Sequence, residues 1–176
     1  MKIIFLAIGV VVVITAVIML YRPRVAQTYQ VCAKDIPKLL AELTAAKSTP
    51  AFVVFIFAKA GSSNADGVLN LQFSLEDGKP GFDWVLIGAA NIADQDRFAQ
   101  FARSSGYTPT LKVENGVSYL RIENGDLAEL CRDVVTKMYG LSDAEPLGMI
   151  AQGFKPETAG DPVGIGPALV NRKPVL

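Results

Sequence analysis

Residues 3–20 form an unbroken apolar run in which Thr15 is the only polar side chain and no charge occurs. As a helix, such a run rises 1.5 Å per residue and covers roughly 27 Å, close to the ~30 Å hydrocarbon thickness of a bilayer. Helical geometry also satisfies each backbone polar group internally, which lipid demands. The pattern predicts a transmembrane anchor over residues 1–22. A cleaved signal fits less well, because signal h-regions are usually ~7–15 residues long and end at a small-x-small site. Here the run continues into Tyr21-Arg22-Pro23-Arg24, and a cut after Ala26 would place Arg24 where a small residue is wanted.

Residues 23–34 read as a juxtamembrane link, and residues 35–150 carry the periodicity of a folded domain. Asp35-Ile36-Pro37 has the composition of a helix start, and Ile36, Leu39, Leu40, Leu43 and Ala46 follow as one stripe. Phe52–Ala58 is a short continuous apolar run of β-branched and aromatic residues, the signature of a strand covered on both faces. Leu69, Leu71, Phe73 and Leu75 then alternate with Asn70, Gln72, Ser74 and Glu76, which predicts a half-buried strand. After a turn at residues 77–81, residues 82–87 return as its partner with Phe82, Trp84 and Leu86 inward. A second helix is expected from Asn91, its cap, to Gly106, its stop, with Ile92, Phe98, Phe101 and Ala102 inward. Asn115-Gly116 between two alternating segments predicts a two-residue hairpin, with Leu111 opposite Leu120 on the core face and Lys112 opposite Tyr119 on the other. A last helix opens with Asp126 and Glu129, carries the stripe Leu127, Leu130, Cys131, Val134, Val135 and Met138, and ends at Gly140. Residues 151–176 are expected as a flexible tail, since from Gly153 onward four glycines and four prolines stand among 24 residues.

The expected fold class is therefore α+β: a two-layer, mostly antiparallel five-stranded sheet with helices on one face, in the order α-βββ-α-ββ-α, behind one transmembrane helix. This order, over about residues 35–139, is similar to that of the type III secretion chaperone and YbjN-like proteins, the TY-Chap superfamily. Segments 69–87 and 115–139 also resemble those of small uncharacterised bacterial membrane-anchored proteins. The superfamily likeness implies a dimeric, protein-binding, non-enzymatic module.

Charge and composition narrow the functions. The 176 residues hold 17 Lys plus Arg and 17 Asp plus Glu, a formal balance of zero that argues against a nucleic-acid partner. No histidine occurs, which removes Ser-His-Asp and Cys-His catalysis and leaves zinc with too few soft ligands. The two cysteines, Cys32 and Cys131, form no CxxC pair, and Cys131 lies on an apolar helical stripe, so it reads as a small buried hydrophobe. The segment Gly61 to Gly67 lacks the order and lysine of a P-loop. No cofactor, metal or catalytic residue is expected.

Helices on one face leave the second face of the sheet uncovered. Phe52–Ala58 is apolar in both phases, Val85 and Ile87 lie on the outward phase of their strand, and Val117 and Tyr119 lie on the polar side of the hairpin. These four, Val85, Ile87, Val117 and Tyr119, are the candidate interface. The expected function is a membrane-anchored, non-enzymatic protein-binding or adaptor module, chaperone-like or immunity-type, with a protein partner or a second copy of itself. The alternative is a membrane-bound hydrolase or transferase working with carboxylates alone, for which Asp66, Asp77 and Asp83 are the candidates. The expected location is the bacterial inner membrane, single-pass. Lys2 alone precedes the run while Arg22, Arg24, Lys34 and Lys38 follow it, which leans the domain to the cytoplasmic side and leaves a periplasmic domain as the alternative.

Overall fold

The computed structural model describes residues 27–46, 50–62 and 65–163. The expected span at residues 3–20 lies outside them, and among the described residues no helix is long and apolar enough to cross a membrane. What they form is an α+β domain on an antiparallel sheet of seven strands, two more than the sequence pattern suggests. In chain order these are β1 (Gln27–Cys32), β2 (Phe52–Ala58), β3 (Val68–Glu76), β4 (Lys79–Val85), β5 (Thr110–Glu114), β6 (Val117–Ile122) and β7 (Pro146–Gln152). Across the sheet they run β1-β7-β2-β3-β4-β6-β5. The helices are α1 (Ile36–Thr44), α2 (Ala89–Ala93), α3 (Gln95–Ser104) and α4 (Leu127–Asp133), the last continuing as a π turn through Val134–Met138.

The two unexpected strands close one side of the sheet. Residues expected as link form β1, in which Tyr29 and Val31 are buried. Its partner β7 comes from near the C-terminal end and slots between β1 and β2, aligning Tyr29 with Met149 and Phe55 with Met149 on its other side. The first part of the expected tail is also held. Phe154 and Ala159 pack against the core, the Thr158 N–H donates to Glu42 Oε1 at 3.0 Å, and the Val163 N–H donates to the Thr28 carbonyl at 2.8 Å.

One core serves all the helices. Ile36, Leu39 and Leu43 of α1, Phe98 and Ala102 of α3, and Leu130, Cys131, Val134 and Val135 of the last helix join Val53, Phe55, Leu69, Leu71, Phe73, Phe82, Trp84 and Ile122 in a single cluster. Trp84 stacks on Phe98 at 4.4 Å between centroids, and Phe82 stacks on the same ring at 5.5 Å. Such contacts between rings add to the area they bury. Asp126 caps the last helix by accepting the Glu129 N–H at 2.9 Å, a bond that satisfies one of the orphan donors of a helix start.

Local chemistry departs from expectation in three places. Asp77-Gly78, with φ of 50° and 76°, makes a two-residue hairpin that pairs Glu76 with Lys79, so Pro80 and Gly81 belong to β4 and not to a long turn. Pro80 is tolerated because β6 pairs with β4 only from Phe82 onward, which leaves no neighbour on that side to need its missing N–H. The expected second helix is split at Asp94, and Asn91 does not cap it. Instead the buried Asn91 amide takes the place of a neighbouring strand: its Oδ1 accepts the Asn70 N–H at 3.0 Å and its Nδ2 donates to the Asn70 carbonyl at 2.8 Å. Finally, Leu111 and Ile92 are exposed, whereas both were expected inside. Strand β5 sits at the sheet's edge, beyond the cover of the helices.

Leu130 has no exposed surface in the heart of this core. Leu130→Ala is expected to cost about 2–5 kcal/mol from lost transfer energy plus the cavity left behind. Urea unfolding measures this, and a loss below ~1 kcal/mol would place the helix at the periphery.

Candidate functional site: the face away from the core

Side chains in the opposite strand phase point away from the helices and divide that face in two. Phe52, Val54 and Ile56 of β2 and Ile150 of β7 are half-buried, lie outside the core cluster, and form an apolar half. Register places Val54 between Ile150 and Gln72, and Ile56 between Gly148 and Asn70, so this half passes into a polar half at β3.

The polar half is organised by Arg121 of β6, whose side chain is wholly buried. Its Nη1 donates to Asp83 Oδ1 at 2.8 Å and to Ser74 Oγ at 2.9 Å, and Nε donates to Glu123 Oε1 at 2.6 Å. Glu76 Oε1 lies 3.0 Å from Nη1. The Ser74 hydroxyl in turn donates to Asp83 Oδ2 at 2.6 Å. Lys112 of β5 reaches Glu76 at 3.1 Å and Glu123 at 3.3 Å, and the Tyr119 hydroxyl donates to Glu76 at 3.3 Å. Nη2 has no hydrogen-bond partner among the described residues. The guanidinium lies where a side chain of Gly81 would stand: a Cβ there would meet Cζ at 2.2 Å and Nη2 at 2.4 Å. Glycine at this position thus makes room for the guanidinium where it lies, and no positive backbone angle calls for it.

Three carboxylates share two cations here, and their surroundings set them apart. Burial pushes the Asp83 carboxyl above its ordinary value, with the hydroxyl of Ser74 and the charge of Arg121 only partly offsetting it. Burial works against the Arg121 charge too, but the bond to Glu123 and the neighbouring Asp83 carboxylate outweigh it and hold the guanidinium protonated. Glu123, half-exposed, is lowered by its bonds from Arg121 and Lys112.

Of the four candidate interface residues, Val85 pairs directly with Tyr119 in register. The Leu86 N–H continues that ladder to the Ser118 carbonyl at 2.9 Å, which sets Ile87 opposite Val117. The four therefore share one corner of this face. Ile87 is 54% exposed, and Val85 and Val117 are partly so. Tyr119 corrects an expectation: at 9% exposure it is buried among Val85, Lys112 and Glu76, so it belongs to the network and is no free-standing anchor.

The candidate carboxylates of the alternative reading do not converge. Asp66 lies in the turn before β3 and Asp77 in the turn after it. The nine residues between the strand's ends, at ~3.4 Å each, set the two roughly 30 Å apart. Asp83 lies mid-strand, engaged with Arg121 and Ser74. Asp77 borders a shallow depression of about 500 Å³ lined also by Glu76, Lys112, Val113, Glu114 and Tyr119. Both cysteines are free thiols, Cys131 buried with its thiol pushed well up by burial and Cys32 half-buried.

A second ionic cluster, of which the sequence pattern marks only Asp94 and Arg97 at a helix start, ties the end of β2 to two helices. Asp94 accepts from Lys59 Nζ at 2.7 Å and from the Tyr139 hydroxyl at 2.6 Å, while Arg97 lies over the Tyr139 ring at 5.2 Å and donates to the Met138 carbonyl. Burial alone would raise the Asp94 carboxyl, but the bonds from Lys59 and Tyr139 hold it below its ordinary value. Burial, together with the same bond, pushes the Tyr139 hydroxyl far up, so it stays a donor.

No family model matches the chain, and no curated protein or solved structure matches it significantly.

Two expectations follow. Arg121→Met leaves Asp83 buried without its cation and should cost about 3–5 kcal/mol, whereas Arg121→Met with Asp83→Leu should recover most of that loss. Denaturant unfolding of the four proteins of this cycle measures it. For the second cluster, the folded-state lowering of Asp94 adds stability above its unfolded value of ~3.9, and that stability is lost as pH falls through the lower folded value. Tyr139→Phe, which removes one bond to the carboxylate, should cost about 1.5–3 kcal/mol at pH 7. That deficit should shrink below about pH 4. A deficit equal at both pH values would locate the loss in packing.

Proposed function

We propose that this chain is a non-enzymatic protein-binding module, chaperone-like or immunity-type, held by residues 3–20 at the inner membrane of a bacterium and docking protein through the face away from the core. The observation that carries the reading is the apolar half of that face: Phe52, Val54, Ile56 and Ile150 lie in line across two strands, and none belongs to the core cluster. The corner formed by Val85, Ile87 and Val117 extends it on the far side of the polar network. Contiguous apolar surface rimmed by polar groups is the composition of a protein-binding surface. The Arg121 network supports such a role by holding the polar half stiff, since its partners come from β3, from β4 and from Glu123 just past β6. Membrane anchoring suits a binder, because confinement raises effective concentration without new contacts.

The similarity of element order to the secretion chaperones agrees with this reading in kind. The carboxylate-enzyme alternative finds no support in the separation of Asp66 from Asp77. The placement of the domain on the cytoplasmic side rests on the four cations that follow the anchor.

Site-specific photo-crosslinking in the native membrane tests the proposal. A photoreactive residue at Ile56 or Ile87 should give discrete adducts to protein, and one at Gln100, on the solvent side of α3, should give none. Adducts from all three positions alike, or from none, would overturn it.

A further inference from the structure

The two edges of the sheet are treated differently. Strand β1 has its outer side met by the chain itself, through the Val163 N–H on the Thr28 carbonyl. Strand β5 pairs with β6 alone, and among the described residues no backbone bond reaches it from the other side. The direction of its free groups follows from the hairpin. In a two-residue hairpin the residues flanking the turn exchange hydrogen bonds, here Glu114 with Val117. The alternation then turns Lys112 and Thr110 toward β6, and Leu111 and Val113 outward with both N–H and C=O unpaired.

An edge of this kind is ordinarily blunted by a lysine, a proline or a bulge. Strand β5 has no proline and no bulge. Its one lysine is folded back onto Glu76 and Glu123, with 34% of its side chain exposed. Meanwhile Leu111 and Val113 are 60% and 66% exposed, the most exposed of the large apolar side chains described.

We infer that β5 is a self-association edge, where two copies of this chain pair antiparallel about a two-fold axis at Val113 to join their sheets. Three registers bring the outward groups of two such strands together. Centred on Leu111, the strands would set Lys112 against Thr110 and leave it without an opposite charge. Centred on Lys112, they would set lysine against lysine. Centred on Val113, they set Lys112 against Glu114 of the second copy, twice, and place Val113 against itself as a pair exchanging two hydrogen bonds. Charge complementarity selects the third. In it Leu111 and Val113 of both copies fall on one side of the joined sheet and cover one another, while the Lys112–Glu114 pairs fall on the other. The edge is a different surface from the face proposed above to dock protein, so the pairing stands whether or not that face binds anything.

The test uses the full chain with Cys32→Ser, in detergent micelles, under mild oxidation. Directly paired strand positions that exchange hydrogen bonds have Cα atoms ~5.5 Å apart, within disulfide reach. Val113→Cys should give a covalent dimer, and Lys112→Cys should give little. Sedimentation should show a dimer that Val113→Pro dissociates, because proline removes the outward N–H without touching the bonds to β6. Glu114→Lys should weaken the dimer about tenfold by placing lysine opposite Lys112, with circular dichroism checking that both variants keep the fold. A monomer at all concentrations, a dimer indifferent to Val113→Pro, or crosslinking through Lys112→Cys in preference to Val113→Cys would each overturn the inference.

Discussion

Arg121 lies flat in the space that glycine leaves at Gly81, and the open half of the sheet is arranged around that contact. Its bonds run to Ser74 on β3, Asp83 on β4 and Glu123 just past β6, and Lys112 on β5 joins through Glu76 and Glu123. Four strands are thereby referred to one guanidinium. The net energy of so buried a pair is small, because desolvation of both charges consumes most of the attraction. Its value is specificity. A slip of one residue between β4 and β6 would turn Arg121 toward the helices, where Trp84, Phe82 and Phe98 offer no acceptor. The cost of such a slip is an unpaired buried cation, several kcal/mol, far more than the pair contributes when made.

The same logic explains why the two faces differ so sharply. On the helix side the core residues from Tyr29 across to Ile122 are apolar, and the one amide that enters, Asn91, completes the ladder of β3 where its pairing with β4 stops beyond Asp83. Its two bonds to Asn70 cost nothing in unsatisfied groups, since Asn70 would otherwise present a bare N–H and C=O beside Trp84. On the other side no comparable apolar layer is built, and polar side chains bond to one another, Arg121 Nη2 excepted. The apolar residues there, on β2 and β7, stand outside the core cluster and stay half-buried.

How much of this was legible follows from how local each signal is. The last helix, with its Asp126 cap and its stripe from Leu127 to Met138, is read correctly because both signals lie within its own residues. So is the Asn115-Gly116 hairpin, whose register the turn dictates. Strand β7 was invisible for a physical reason: Pro146 and Gly148 read as breakers, yet Pro146 stands at the first strand position and Gly148 is packed between neighbours on both sides. Strand β1 alternates over six residues, but its partner lies more than a hundred residues away, and no local pattern names it. Tyr119 failed differently. Strand phase gave its face correctly, but phase does not reveal that Lys112 and Glu76 close over a tyrosine on the outer side. The Arg121 network was missed because its members are spread from Ser74 to Glu123, each an ordinary solvated residue in its own neighbourhood.

Chain length relates the two edges of the sheet to the membrane. With residues 3–20 in the bilayer, as proposed, the seven steps from Leu20 to Gln27 reach at most about 25 Å. On that proposal strand β1 would be tethered near the lipid. Six strand spacings of ~4.8 Å carry the sheet roughly 29 Å from there to β5. The β1 edge is the one that the chain meets with its own Val163, and among the described residues the β5 edge is the one left with unpaired backbone and exposed Leu111 and Val113. An unblunted edge is a hazard for a protein free to meet copies in any orientation. Tethering at the opposite edge, as proposed, would restrict the approaches available to β5 to those that two anchored copies can make side by side, so the same feature would become selective. The proposed anchor and the open edge would then be two parts of one arrangement: the first would limit which partners reach the second, and charge at Lys112 and Glu114 would limit the register in which they pair.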